Sequence, residues 1–111
     1  MKTIIAGGRE FSDYGKLSEV MGAFDVSVVV SGKARGADSL GEEWARENGK
    51  PVEEYPANWD LYGKRAGYIR NQQMADNAEA LIAFWDGKSR GTQHMINIAK
   101  EKGLAVHVER Y

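Results

Sequence analysis

The stretch VVVSGKARGADSLGEEWA, residues 28 to 45, restricts what this chain can become more than any other. Three valines end in Ser31 and Gly32, and within a few residues Ala37, Leu40, Trp44 and Ala45 recur at helical spacing. A buried strand that feeds a helix through so short a turn is half of a βαβ unit, and such units build parallel sheets. The turn also has the chemistry of an anion site. Gly32 and Gly36 let the backbone approach closely, the amides at the helix start point outward, and Lys33 and Arg35 add charge. The same glycines also serve a plain strand-to-helix connection, and the spacing is not that of a Walker A loop.

The alternation continues along the chain. Residues 3–6, 26–31, 51–55, 80–85 and 104–108 read as strands, and the third, opening on Pro51 and rich in charge, suits a sheet edge. The predicted helices carry Leu17, Val20, Met21 and Phe24, then residues 37 to about Gly49, then 66–78, and finally a run from near Thr92 with Met95, Ile96 and Ala99 facing the core. Residues 56–65 read as a loop. Right-handed crossovers then imply a small doubly wound α/β sheet of about five mainly parallel strands, with helices on both faces. At 111 residues and 42% hydrophobic content, one domain over 1–111 is expected.

Composition narrows the chemistry. No cysteine is present, so neither a disulfide framework nor a thiolate metal site is expected, and His94 and His107 are too few and too far apart for zinc. No metal or cofactor is anticipated. No apolar run approaches the ~18–20 residues of a membrane span, and the first ten residues turn polar early, so a cytoplasmic protein with no membrane partner is expected. A net charge of −1 gives no bulk attraction to nucleic acid. The distribution says more: Arg9, Lys33, Arg35, Lys64, Arg65, Arg70, Lys88 and Arg90 fall in predicted loops and helix starts, while Glu42, Glu43, Glu47, Glu53, Glu54 and Glu101 lie on helices and a strand end.

Doubly wound sheets bind ligands beyond the carboxyl ends of their strands, where the strand order reverses. Three cationic turns are predicted on that edge. Gly8 and Arg9 follow strand one, SGKARGAD follows strand two, and DGKSRGT follows strand four, with Asp86, Gly87, Ser89, Gly91 and Thr92. Arg65 opens the next helix and Arg70 lies more than a turn inside it, a placement that opposes the helix dipole. A phosphate or carboxylate ligand explains such arginines, and an ion pair with a neighbouring acid is the alternative. Trp59, Tyr62 and Trp85 flank these loops, either to stack on a base or to anchor the chain, whereas Trp44 belongs to the core. Asp38 caps its helix, and Asp86 either accepts a ribose hydroxyl or starts a turn. His94 is expected on a helix surface and His107 on a strand without a partner. No nucleophilic triad is recognisable.

Together GGREFSD, VVSGKARGADSLGEEWA, YPANWDLYGKRAGYIRNQQMAD and ALIAFWDGKSRGTQHMI resemble the YspA-type branch of the SLOG superfamily, named for the DNA-processing protein DprA (Smf) and the Lonely guy proteins. The resemblance implies a Rossmann-like domain that binds nucleotides, nucleotide-derived molecules or, in DprA, single-stranded DNA. SGKARGAD is similar to DprA's Ser-Gly-x-Ala-x-Gly-Ile-Asp turn, and Arg70-Asn71 to an Arg-Asn pair there. The same Arg70, with Met74 four residues on, also matches the Arg of the Lonely guy Met-His-Glu-Arg-Lys motif, with Asn71 in place of its lysine. Gly91 and Thr92 match that family's second loop, but Met95 stands where its catalytic glutamate belongs, and methionine transfers no proton.

The expectation is therefore a nucleotide-binding domain acting as a sensor or sequestering protein, of the kind the superfamily supplies to bacterial and phage conflict systems. Arg9, Arg35 and Arg70 would neutralise phosphates, and Trp59 or Trp85 would stack on the base. The alternatives are nucleoside-monophosphate N-glycosidase activity and DprA-like binding of single-stranded DNA. A homo-oligomer, paired through helices carrying Tyr68 or Met95, is also expected.

Overall fold

Ile4 and Ile5 are neighbours in the chain, both have no exposed surface, and they point to opposite faces of one strand. That pairing describes the whole sheet. The computed structural model describes residues 1–111, with strands β1 (Lys2–Gly7), β2 (Val28–Ser31), β3 (Val52–Glu54), β4 (Ala80–Trp85) and β5 (Ala105–Arg110). Their order is β3-β2-β1-β4-β5, and every adjacent pair is parallel. Helices α1 (Tyr14–Gly22) and α2 (Ala37–Glu47) precede β2 and β3; a short α3 (Trp59–Tyr62), a 3-10 turn (Gly63–Arg65) and α4 (Ala66–Asp76) precede β4; α5 (Arg90–Glu101) precedes β5.

Two cores follow from the alternation. Ile4, Leu81 and Ala83 pack with Met74 and Ala75 of α4 and Met95, Ile96 and Ala99 of α5. Ile5, Ile82 and Phe84 pack on the opposite face with Leu17 and Met21 of α1 and Trp44 and Ala45 of α2. Each of the large side chains removed from water contributes ~1.5–3 kcal/mol, which is why continuously apolar strands settle only between two helical layers. The sheet is doubly wound, as the alternation predicts, and β3 is an edge strand.

Several boundaries move for identifiable reasons. Phe24 lies beyond the end of α1, 42% exposed, with its ring 5.0 Å from that of His107, so it is not part of the core-facing helix. Helix α5 starts at Arg90 because Ser89, not Thr92, is its N-cap: the Ser89 hydroxyl accepts from the Thr92 amide at 3.4 Å. The expected loop 56–65 contains α3, capped by Asn58, whose side chain accepts from the Leu61 amide at 3.1 Å. No helix is long and apolar enough to cross a membrane.

The sheet order places the ligand crevice. The chain leaves β1 for α1 on one face and leaves β4 for α5 on the other, so the neighbouring carboxyl ends of β1 and β4 diverge.

Candidate functional site

A cavity of about 230 Å³ opens where β1 and β4 diverge. Gly7 and Met95 close its base, and the first turn of α5 supplies Ser89, Gly91 and Thr92. Arg9 enters from the loop after β1, Ala34 and Asp38 from the turn after β2, and Trp59 from α3. Helix α4 provides a long wall through Gly67, Arg70, Asn71 and Met74, which are spaced as one helix face.

Arg70 and Asn71 tie the surrounding loops together. The Arg70 guanidinium donates to the Gly32 carbonyl in the turn after β2, and its Nε donates to Asn71 Oδ1 at 3.1 Å. Asn71 Nδ2 donates to the Gly91 carbonyl at 3.2 Å and, at 3.1 Å, meets His94 Nδ1. Burial lowers the His94 pKa, which favours the neutral ring and makes Nδ1 an acceptor. His94 is thus half-buried and packed edge-on to Tyr68 at 4.5 Å between ring centroids, rather than lying on a free helix surface.

Three charges converge beside this wall. Asp38 is 5% exposed, and burial pushes its pKa up to about 6 against the opposing pull of the Ala34 amide and Arg70. Its Oδ2 accepts from the Ala34 amide at 3.3 Å, so it closes the turn in front of its helix; the N-cap itself is Gly36, which has no side chain to offer. Burial also lowers the Arg70 pKa, with Asp38 raising it and Arg9 lowering it. Among the side-chain oxygens and nitrogens that are buried, none lacks a hydrogen-bond partner.

The loop after β4 is organised by Asp86, whose Oδ1 accepts from the Lys88 amide at 2.8 Å and the Ser89 amide at 2.9 Å. These bonds depress its pKa, and they occupy it in a turn outside the cavity. Gly87 sits under the Arg110 side chain. Trp85 Nε1 donates to the Ser89 carbonyl at 3.1 Å while Arg110 covers its ring at 5.2 Å, so Trp85 anchors the loop.

Of the residues singled out in the sequence, Arg9, Asp38, Trp59, Arg70, Asn71, Ser89, Gly91 and Thr92 line the cavity. The others lie elsewhere. Ser31 is fully buried and donates to Glu42 Oε2 at 2.6 Å. Lys33, at φ 61°, turns its ammonium to Glu42 at 2.9 Å and Glu54 at 3.1 Å. Arg35 reaches outward to Glu10 at 3.2 Å, with 74% of its side chain exposed. Gly32, Lys33 and Arg35 instead border a neighbouring depression that shares Arg9, Trp59 and Arg70 with the cavity. Ala37 is core. Gly8 and Gly36 bring two loops together: the Gly8 carbonyl accepts from the Ala37 amide at 3.3 Å, and a Cβ on Gly36, at φ 80°, would stand 2.2 Å from that carbonyl oxygen. Arg65 is exposed and outside the cavity, whereas its neighbour Lys64 lines it.

Lys64, Gly67, Tyr68 and Met74 also line the cavity, a place the sequence did not assign to them. A signal existed for two of them, because Gly67, Asn71 and Met74 repeat at four and three residues, the spacing of a single helix face. Met95 is 1% exposed and faces the core, as its helical spacing predicts, while Tyr68 is 46% exposed. His107, expected to lack a partner, stands 2.9 Å from Glu109 Oε1.

Residues 1–62 match YAcAr, the YspA, cpYpsA-related SLOG family. The gene 61 protein of Mycobacterium phage D29 is 41% identical over 85 residues, which take in 71% of this chain and 68% of that protein. The X-ray structure of DNA processing protein A (DprA) from Streptococcus pneumoniae covers 96% of this chain with a TM-score of 0.79 at 21% identity, and the chain spans 49% of that structure's length. That likeness is one of fold, the Rossmann-like sheet.

Proposed function

Since this chain belongs to the YspA, cpYpsA-related SLOG family, we propose that its crevice binds a nucleotide or nucleotide-derived molecule and holds it without turnover, as a sensor or sequestering protein does. The observation that carries the reading is the Arg70-Asn71 pair. It sets a charged guanidinium, held by the Gly32 carbonyl and Asn71, on the wall of a cavity that opens at the strand-order reversal.

In this reading a phosphate sits against Arg9 and Arg70 and takes the free Gly91 amide at the start of α5, where the helix dipole favours an anion. Trp59, 52% exposed at the rim, stacks on the base. At about 230 Å³ the cavity lies below the ~300–1,000 Å³ common for small-molecule sites, so it takes no more than one mononucleotide unit. Met95 closes the base where the Lonely guy resemblance calls for glutamate, so no carboxylate from α5 reaches a glycosidic bond.

One observation favours a second reading. Asp38 lines the cavity with a pKa of about 6, suited to general acid-base work near neutral pH. Under that reading the protein hydrolyses its nucleotide, and Asp38→Asn abolishes release of free base from a nucleoside monophosphate.

Thermal unfolding against AMP, ADP-ribose, NAD, cyclic nucleotides and short single-stranded DNA, with product analysis of each hit, tests the proposal. A bound nucleotide recovered intact is the expected result, with ~2.7 kcal/mol of stabilisation at a hundred times the dissociation constant. Conversion of the nucleotide favours the Asp38 reading. A response to DNA alone, falling steeply with salt, contradicts a small-ligand crevice.

A further inference from the structure

We infer that the ligand is a dinucleotide, with one nucleotide unit in the cavity and the second in a groove on the far side of Tyr68. The inference rests on the crevice reading above and extends it beyond the cavity.

That groove, about 400 Å³ and open to solvent, is lined by Tyr68, Trp85, Lys88, Arg90, Gln93 and His94 among others, with no carboxylate in its lining. Tyr68 borders both hollows, is 46% exposed, and is braced edge-on by His94. It is therefore placed to contact a base at the boundary between the two hollows.

The cations of the groove lack partners. Neither Lys88 nor Arg90 forms an ion pair within the fold, and the only carboxylate whose charge Lys88 feels is that of Asp86 in its own turn, which lies outside the groove. Arg90 is the first residue of α5, where a cation opposes the helix dipole. An anion seated in the groove between these two side chains is attracted by both. The groove also presents hydrogen-bonding groups: Gln93 Nε2 donates to Asn97 Oδ1 at 2.8 Å, which leaves the Gln93 oxygen and the Asn97 amide nitrogen for a base edge. The cavity, sized for one nucleotide unit, has no equivalent second set.

Calorimetric titration with AMP and with the 5′-phosphorylated linear dinucleotide pApA, on the wild type and on K88A/R90A, tests this. The wild type is expected to bind pApA about tenfold or more tightly than AMP, and K88A/R90A to erase that advantage while moving AMP affinity less than about twofold. A charge-matched control, R46A/K50A at the far end of α2, should keep the advantage. The inference is overturned if pApA binds no more tightly than AMP, if K88A/R90A keeps the preference, or if R46A/K50A loses it as well. If AMP and pApA both fail to bind, the crevice reading itself falls and this inference with it; if AMP binds and pApA gains nothing, only the groove falls.

Discussion

Arg70 Nε donates to Asn71 Oδ1 at 3.1 Å, and through that contact two adjacent residues of α4 hold two loops that are far apart in sequence. Arg70 grips the turn after β2 at the Gly32 carbonyl, and Asn71 grips the start of α5 at the Gly91 carbonyl. The pair thus sets the width of the cavity between those loops. Truncating Asn71, 6% exposed, to Ala removes three hydrogen-bond contacts and should cost ~1–3 kcal/mol, seen as a fall in Tm of several degrees. Arg70→Lys keeps the charge but loses the planar fork; it should fold while binding nucleotide ~1.5–3 kcal/mol more weakly, as titration would read.

Gly32 and Gly36 separate binding from folding. A Cβ on Gly32 meets the Arg70 side chain at 2.6–3.0 Å, and that chain can swing away. Gly32→Ala should therefore retain most of its stability and lose affinity, because the guanidinium is displaced. A Cβ on Gly36 meets Gly8 and Arg9 backbone atoms at 2.2–2.7 Å and also carries φ 80°. Gly36→Ala should cost ~2–4 kcal/mol in urea unfolding, since strained backbone cannot step aside.

The carboxyl of Asp38 ties stability and binding to pH. Its pKa is raised from 3.8 to about 6 by burial, so between those values the folded state binds more protons than the unfolded one. Stability from this group therefore grows as pH falls through 6 towards 4, by ~3 kcal/mol across the window, and is absent at pH 7. Urea midpoints of the wild type and Asp38→Ala at pH 5 and pH 7 should differ in this sense, with the variant losing that share of the pH dependence. A pyrophosphate diester such as NAD keeps its charge over this range, and its affinity should rise as pH falls through 6, when the neighbouring carboxylate is neutralised.

Trp59 offers an optical report. It is 52% exposed at the rim, whereas Trp44 is core and Trp85 is pinned under Arg110. Trp59→Ala should leave Tm almost unchanged, remove most ligand-induced fluorescence quenching, and cost ~1–3 kcal/mol of binding.

Much of this arrangement is legible in the residues. The strands announce themselves because apolar residues such as Ile4-Ile5 and Leu81-Ile82 must be covered on both faces, and glycine-rich turns between strand and helix mark the carboxyl edge. What stays hidden is which carboxylate each cation reaches. Lys33 is taken by Glu42 and Glu54, brought to it by α2 and β3, and Arg35 by Glu10 from the loop after β1. Lys64 and not Arg65 lines the cavity, because residues 63–65 form a 3-10 turn rather than a loop or an α-helical start. Asp86 is claimed by two amides of its own turn, a local competition that charge and position alone do not reveal.

The central claim is that the crevice walled by Arg70 and Asn71 takes a nucleotide phosphate. Titrating isotope-labelled protein with AMP while following backbone amide and tryptophan side-chain resonances addresses it most directly. The account predicts saturable shifts concentrated at Gly7, Ala34, Gly67 and Gly91 and at the Trp59 indole, with those at the far ends of the helices, such as Arg46 and Lys102, unmoved. Shifts centred away from the β1–β4 edge, or none with any nucleotide tested, would contradict it.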